Sequence, residues 1–134
     1  MSMRVLQPEG WPRPRGYANG VSASGRMVFV AGQIGWDTEG RIVEGGIVPQ
    51  SRKALENILT ILSLDGAKAE HVVRLTWYVT DKAAYLAAGL ALGVVYRAVM
   101  GKHFPAMSAV EVVALMEPGA VVEIEATAVV PKDG

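Results

Sequence analysis

Between Ala120 and Val130 the chain reads AVVEIEATAVV, and no other stretch limits its fold so tightly. Glu123, Glu125 and Thr127 alternate with Val122, Ile124, Ala126 and Ala128. A period of two belongs to a β-strand, whose successive side chains leave opposite faces. One face of this strand must be buried, and the other carries two carboxylates spaced about 7 Å apart by strand rise. HVVRLTWYVTD repeats the pattern, with Val73, Leu75, Trp77 and Val79 opposed to Arg74, Thr76, Tyr78 and Thr80.

Helices must supply the cover for the apolar face. From Pro49 the period changes, and Ala54, Leu55, Ile58, Leu59, Ile61 and Leu62 recur at helical spacing. Proline suits the first turn of that helix and Gly66 ends it. A second helix is predicted from about Lys82 to Met100, stopped by Gly101. YANGVS and MVFVAGQI flank ASGR and predict a β-hairpin with Gly25 in its turn. WDTEGRIV predicts a second turn, at Gly40. Two strands, near Met107–Leu115 and Val121–Val130, close the chain. The order strands, helix, strand, helix, strands defines an α+β fold with both helices on one sheet face. A chain of 134 residues forms one domain, 1–134, with 1–15 as an extended proline-rich arm, and has nothing left to cover the second face. A homo-oligomer is therefore expected.

Composition removes whole classes of function. Thirteen basic and thirteen acidic residues cancel, which leaves no electrostatic footprint for a nucleic acid. Cysteine is absent, and with it thiol nucleophiles, disulfides and thiolate metal sites. Two histidines do not make a histidine-rich metal site, and no serine–histidine–acid triad can be assembled. GRIVEGG lacks the lysine and spacing of a phosphate loop. MSMRVLQPEGW has no apolar signal core, and the run Ala83–Tyr96 falls short of the ~20 residues a membrane span needs, so a cytoplasmic location is expected.

Chemistry then rests on few residues. Glu123 and Glu125 can divide acid and base roles if their surroundings differ, although a solvated strand face accounts for the same spacing. Gly32 and Gly35 in AGQIG allow close backbone approach to a ligand, or mark a bulge. Tyr17 is a hydroxyl donor or a partly buried anchor. His103 is a proton carrier or a helix-terminal cation.

In this order, GYANGVSASGRMVFVAGQI, QSRKALENILTIL, HVVRLTWYVTD and FPAMSAVEVVALMEPGAVVEIEATAVV together resemble the RidA/YjgF family, whose members include imine deaminases and proteins labelled L-PSP endoribonucleases. The resemblance runs from about Gly16 to Pro131. It implies a chorismate-mutase-like fold, with a six-stranded mixed sheet, two helices on one face, a homotrimeric barrel and a ligand cleft at each subunit interface. It also implies cofactor-free hydrolysis of small imines or enamines to ammonia and a carbonyl compound, with no metal. By the same resemblance Glu123 orients the water, Tyr17 reaches the ligand with its hydroxyl, the Gly32 backbone lies against the substrate, and Ala109 lines the cleft. Met107 departs from the pattern. It stands in PAMS where active imine deaminases read PARS, whose arginine grips the substrate carboxylate. Gly93 stands where many members carry asparagine.

Three functions follow from this pattern. The first is a deaminase of altered specificity, taking a bulkier or less anionic imine or enamine, 2-aminomuconate-deaminase-like or other. Arg13, Arg15, Arg74 or Lys102 would then replace the lost cation, with Trp36 and Trp77 near the cleft. The second is a non-catalytic trimer that binds a small metabolite. The third is an endoribonuclease, which the charge balance disfavours.

Overall fold

The computed structural model describes residues 3–132. Its strands are β1 (Met3–Leu6), β2 (Gly20–Ala23), β3 (Arg26–Ile34), β4 (Val72–Val79), β5 (Ala106–Glu111) and β6 (Val122–Val130). Its helices are α1 (Ile47–Ser63), α2 (Lys82–Ala87) and α3 (Gly89–Met100), with a short 3-10 turn at Ala69–His71. The architecture is α+β. Six strands divide into a four-stranded mixed sheet, ordered β3-β6-β4-β5, and a two-stranded ribbon of β1 and β2. In the larger sheet β4 and β5 are parallel and the other pairs antiparallel.

The period-two pattern sorts the faces as the sequence predicts except at the start of β4, where a register shift between Val72 and Arg74 buries Val72 in place of Val73. Leu75, Val79, Val122 and Ile124 are buried beneath the helices, while Thr76, Tyr78, Glu123 and Glu125 point to the open face. Helix α1 packs on β3, β6 and α3, and sinks Ala54, Leu55, Ile58 and Leu62 completely. Full burial of one such aliphatic side chain contributes about 1.5–3 kcal/mol. Gln50 is buried as well, and it is satisfied at both ends. Its amide donates to Gly119 O at 3.0 Å and accepts from Val121 N at 2.9 Å, tying α1 to the start of β6. On the open face Phe29 is 69% exposed and Met27 56%, so that face keeps a large apolar area in the single chain.

Three elements differ from the sequence prediction, each for a local reason. The β2–β3 hairpin does not form. Ala18 donates to Pro105 O and bridges Ala106, which anchors this segment at the β5 edge. From there β2 touches β4 and pairs with β1 rather than with β3, which lies at the far edge of the larger sheet. Met3–Leu6 of the proline-rich arm is accordingly a strand. The second helix is divided at Ala88, whose ψ of 7° lies outside the α region, just before the weak helix former Gly89. Strand β5 stops at Glu111 instead of Leu115. Its partner β4 ends at Val79, Val112 N donates to Val79 O at 2.8 Å, and beyond that Val113 and Met116 are fully exposed.

Candidate functional site

Two separate constellations hold the residues singled out by sequence. The first is a pocket of about 490 Å³ on the helix side of the β5 edge. Register places Met107 opposite Leu75 and Ala109 opposite Trp77, so both side chains of β5 point toward the helices. Tyr17 reaches the same pocket because the Ala18 bridge fixes the arm against the start of β5. Gln7 steadies that arm by donating to Trp11 O at 3.0 Å and Pro12 O at 3.3 Å. Met107 does both things a methionine can do here. It packs against the core cluster and it forms pocket wall.

Aromatic rings build much of the remaining wall. Trp77 meets Tyr85 edge-on with centroids 6.3 Å apart, and Tyr96 stacks on Phe104 at 5.5 Å. The Tyr96 hydroxyl donates to His103 O at 2.5 Å, and burial raises its pKa well above the ordinary phenol value. Burial raises that of Tyr85 too, so both remain neutral at physiological pH. Arg15 and Arg97 line the pocket, and no carboxylate does.

The second constellation lies on the opposite face. Between Val30 and Gln33 the β3–β6 register shifts, a β-bulge that carries Gly32 past the Glu123 carboxylate. A β-carbon on Gly32 would stand 2.7 Å from Glu123 Cδ and closer still to Oε2. Only glycine leaves that seat open. Gly35 serves packing instead, because its missing β-carbon would fall 2.6 Å from Gln50 Cα on α1. Glu125 accepts a hydrogen bond of 2.5 Å from the Tyr78 hydroxyl, and that bond is the main cause of a raised Tyr78 pKa. The two glutamates thus differ: the lone pairs of Glu125 are engaged by Tyr78, while Glu123 has no side-chain donor among the described residues.

Tyr17, Met107 and Ala109 therefore meet in the pocket, whereas Gly32 and Glu123 meet on the open face of the same sheet. Of the cations named from sequence, only Arg15 lines the pocket with them. Arg13 and Lys102 line a second depression, and Arg74 a third. Trp77 is a pocket residue, while Trp36 hydrogen-bonds Gln33 elsewhere. His103 Nε2 donates to Val72 O at 2.6 Å and His71 Nδ1 accepts from Lys68 N at 3.0 Å, so both rings hold backbone. Arg97 was not foreseen. Its place near the end of α3 resembles that of an ordinary helix-terminal cation. Among the described residues no three potential metal ligands cluster, and no helix is long and apolar enough to cross a membrane.

An α+β chain with an aromatic pocket at one sheet edge and a glycine-seated carboxylate on the open face is the class defined so far. The family model described as Endoribonuclease L-PSP matches residues 12–130. A RutC family protein of Pyrococcus abyssi is 36% identical over 96% of this chain and 98% of its own. A Capra hircus protein named 2-iminobutanoate/2-iminopropanoate deaminase is 37% identical over 78% of this chain and 73% of its own. A solved structure from Yersinia pestis, YyfB of the Rid family and described as of unknown function, superposes with a TM-score of 0.84. It is 35% identical and covers 97% of this chain and 100% of that one. The chain belongs to the RidA/YjgF family, which includes the L-PSP proteins.

Proposed function

We propose that the protein is a hydrolytic imine or enamine deaminase whose substrate is larger than the small 2-imino acids. The seating of the Glu123 carboxylate on the bare Gly32 backbone carries this reading, because it fixes a base beside a surface that a flat substrate can approach. Glu123 accepts a proton from a water molecule as the water oxygen bonds to the C=N carbon. The resulting carbinolamine takes a proton on nitrogen, the C–N bond breaks, and ammonia leaves as the C=O bond forms. Atoms balance with water alone, and one carboxylate suffices for both proton transfers. The likeness to relatives named 2-iminobutanoate/2-iminopropanoate deaminase supports this chemistry.

Within one chain the pocket and Glu123 lie on opposite faces of the sheet, so the working cleft needs a second copy. In this reading three protomers close their open faces into a barrel, which covers Phe29 and Met27. Glu123 and Gly32 of one protomer then complete the Tyr17, Met107 and Ala109 pocket of the next. Native mass spectrometry tests the trimer, and a monomer mass would sink it. The site acts without metal or organic cofactor, on a small molecule rather than nucleic acid, and in the cytoplasm.

Ammonia release from imines generated in situ, from aliphatic to aromatic, tests the chemistry. Turnover of a bulky member is expected in the wild type and is expected to fall at least ~100-fold in Glu123→Gln, within the range general base catalysis contributes. Equal turnover in both proteins would refute Glu123 as the base. Met107 favours one competing reading, since a thioether offers no charge to a substrate carboxylate. A trimer that binds a metabolite without turnover would bind equally well in wild type and Glu123→Gln and release no ammonia.

A further inference from the structure

We infer that Arg97, on α3, is the carboxylate-binding residue of this pocket, and that the pocket takes a carboxylate with a large apolar or aromatic body. The inference names the substrate class of the site proposed above and rests on that reading for its chemistry, but not for its binding. Arg97 lines the pocket with Met107, and among the described residues it has no carboxylate within salt-bridge distance. No acidic side chain lines the pocket to compete for it.

The direction of the side chain separates this role from that of a helix-terminal cation. A long helical side chain leans toward the preceding turn. Arg97 does so, and it lies in the space that the missing side chain of Gly93 leaves uncrowded. A β-carbon there would lie 3.3 Å from Arg97 Nη1 and 3.8 Å from Nη2. The guanidinium thus lies back along α3 over Gly93, one turn away from the C-terminal carbonyls that a dipole-pairing cation would approach. A pocket near 490 Å³ is within the range of sites for drug-sized ligands and far exceeds what a three-carbon acid fills. Its aromatic walls suit a planar body, with the carboxylate turned to Arg97.

Calorimetric titration with phenylpyruvate, pyruvate and phenylacetone tests the assignment. Phenylpyruvate has the size of the expected product, pyruvate lacks the aromatic body, and phenylacetone replaces the carboxylate by a methyl group. Wild type is expected to prefer phenylpyruvate over both. Arg97→Gln should weaken phenylpyruvate about tenfold or more and leave phenylacetone unchanged, as loss of a charge-assisted hydrogen bond requires. Arg97→Lys should fall between them. Arg97 is exposed, so these variants are expected to fold, and circular dichroism confirms it. Phenylpyruvate affinity within twofold of wild type in Arg97→Gln would overturn the assignment, as would wild type that binds phenylpyruvate no better than phenylacetone or not at all. Arg97-dependent binding without ammonia release from the aromatic imine would leave the clamp standing and remove the deaminase. Ammonia release indifferent to Arg97→Gln would do the reverse.

Discussion

Two glycines seat two opposite charges in this molecule, and they do so with unequal tolerance. Gly32, in the β3 bulge, lies so close to Glu123 that a β-carbon would stand 2.7 Å from the carboxylate carbon. Gly93, on α3, would bring a β-carbon only to 3.3 Å from the Arg97 guanidinium. The first seat is set by strand register on both sides of Glu123, since β6 pairs with β3 and β4 together. The second is set by one helical turn and a flexible side chain at the surface. Rigid placement suits a base that must meet a reacting atom, and looser placement suits a clamp that must follow a bulky ligand. In the proposed clamp, a charge carried on a helix gains room at the expense of rigidity.

Gly32→Ala strikes this comparison hardest. The added methyl meets the end of the Glu123 side chain, which can rotate away, so the fold is expected to survive with a Tm within a few degrees of wild type. The carboxylate loses its seat, and ammonia release is expected to fall roughly 100-fold, as in Glu123→Gln. A stable Gly32→Ala protein with undiminished turnover would show that the seat is not what positions the base.

The helix-side wall breaks differently, through deprotonation. Burial raises the Tyr96 hydroxyl, so its neutral form is favoured in the folded state. The stability this provides is complete below the unfolded value of ~10 and is lost as pH rises through the higher folded value. Tyr96→Phe removes the bond to His103 O and should cost about 1 kcal/mol at pH 7. It should also flatten the loss of stability between about pH 10 and 12, which urea denaturation at several pH values would record. A variant whose alkaline limb matched wild type would place that titration in another group.

How much of this was legible in the sequence depends on how local each cause is. The faces of β4 and β6 were readable because a period of two is written residue by residue, and the burial of Leu75 and Ile124 against the openness of Thr76 and Glu125 follows from it. The α1 stripe and the stops at Gly66 and Gly101 were legible for the same reason. The partner of β2 was not, since it is decided by the Ala18–Ala106 bridge, between residues remote in sequence. Nor was the break at Ala88, because alanine favours helix and only its setting before Gly89 tells against continuity. Period two placed Glu123 and Glu125 on one face and could not distinguish them, because the difference is the Tyr78 hydroxyl on a neighbouring strand. Arg97 had a signal that went unread. A glycine four residues before an arginine, inside a helix, leaves room for that side chain to fold back.

Gly93→Ala gives the smallest effect and the sharpest test of that last point, because its two consequences have opposite signs. Gly93 lies in the interior of α3 with no positive φ, so alanine is expected to stabilise the helix by about 0.5–1 kcal/mol. The same methyl crowds the guanidinium, which must move by a few tenths of an ångström. Phenylpyruvate affinity should then fall about two- to threefold, or roughly 0.5 kcal/mol, while Tm rises. In Arg97→Gln the methyl has no guanidinium to displace, so the double variant should gain the stability without any further loss of affinity. A Gly93→Ala protein that gained stability and kept full affinity would make Gly93 an unoptimised helix position and return Arg97 to the helix terminus. Loss of affinity confined to the background that retains Arg97 would tie the glycine to the guanidinium.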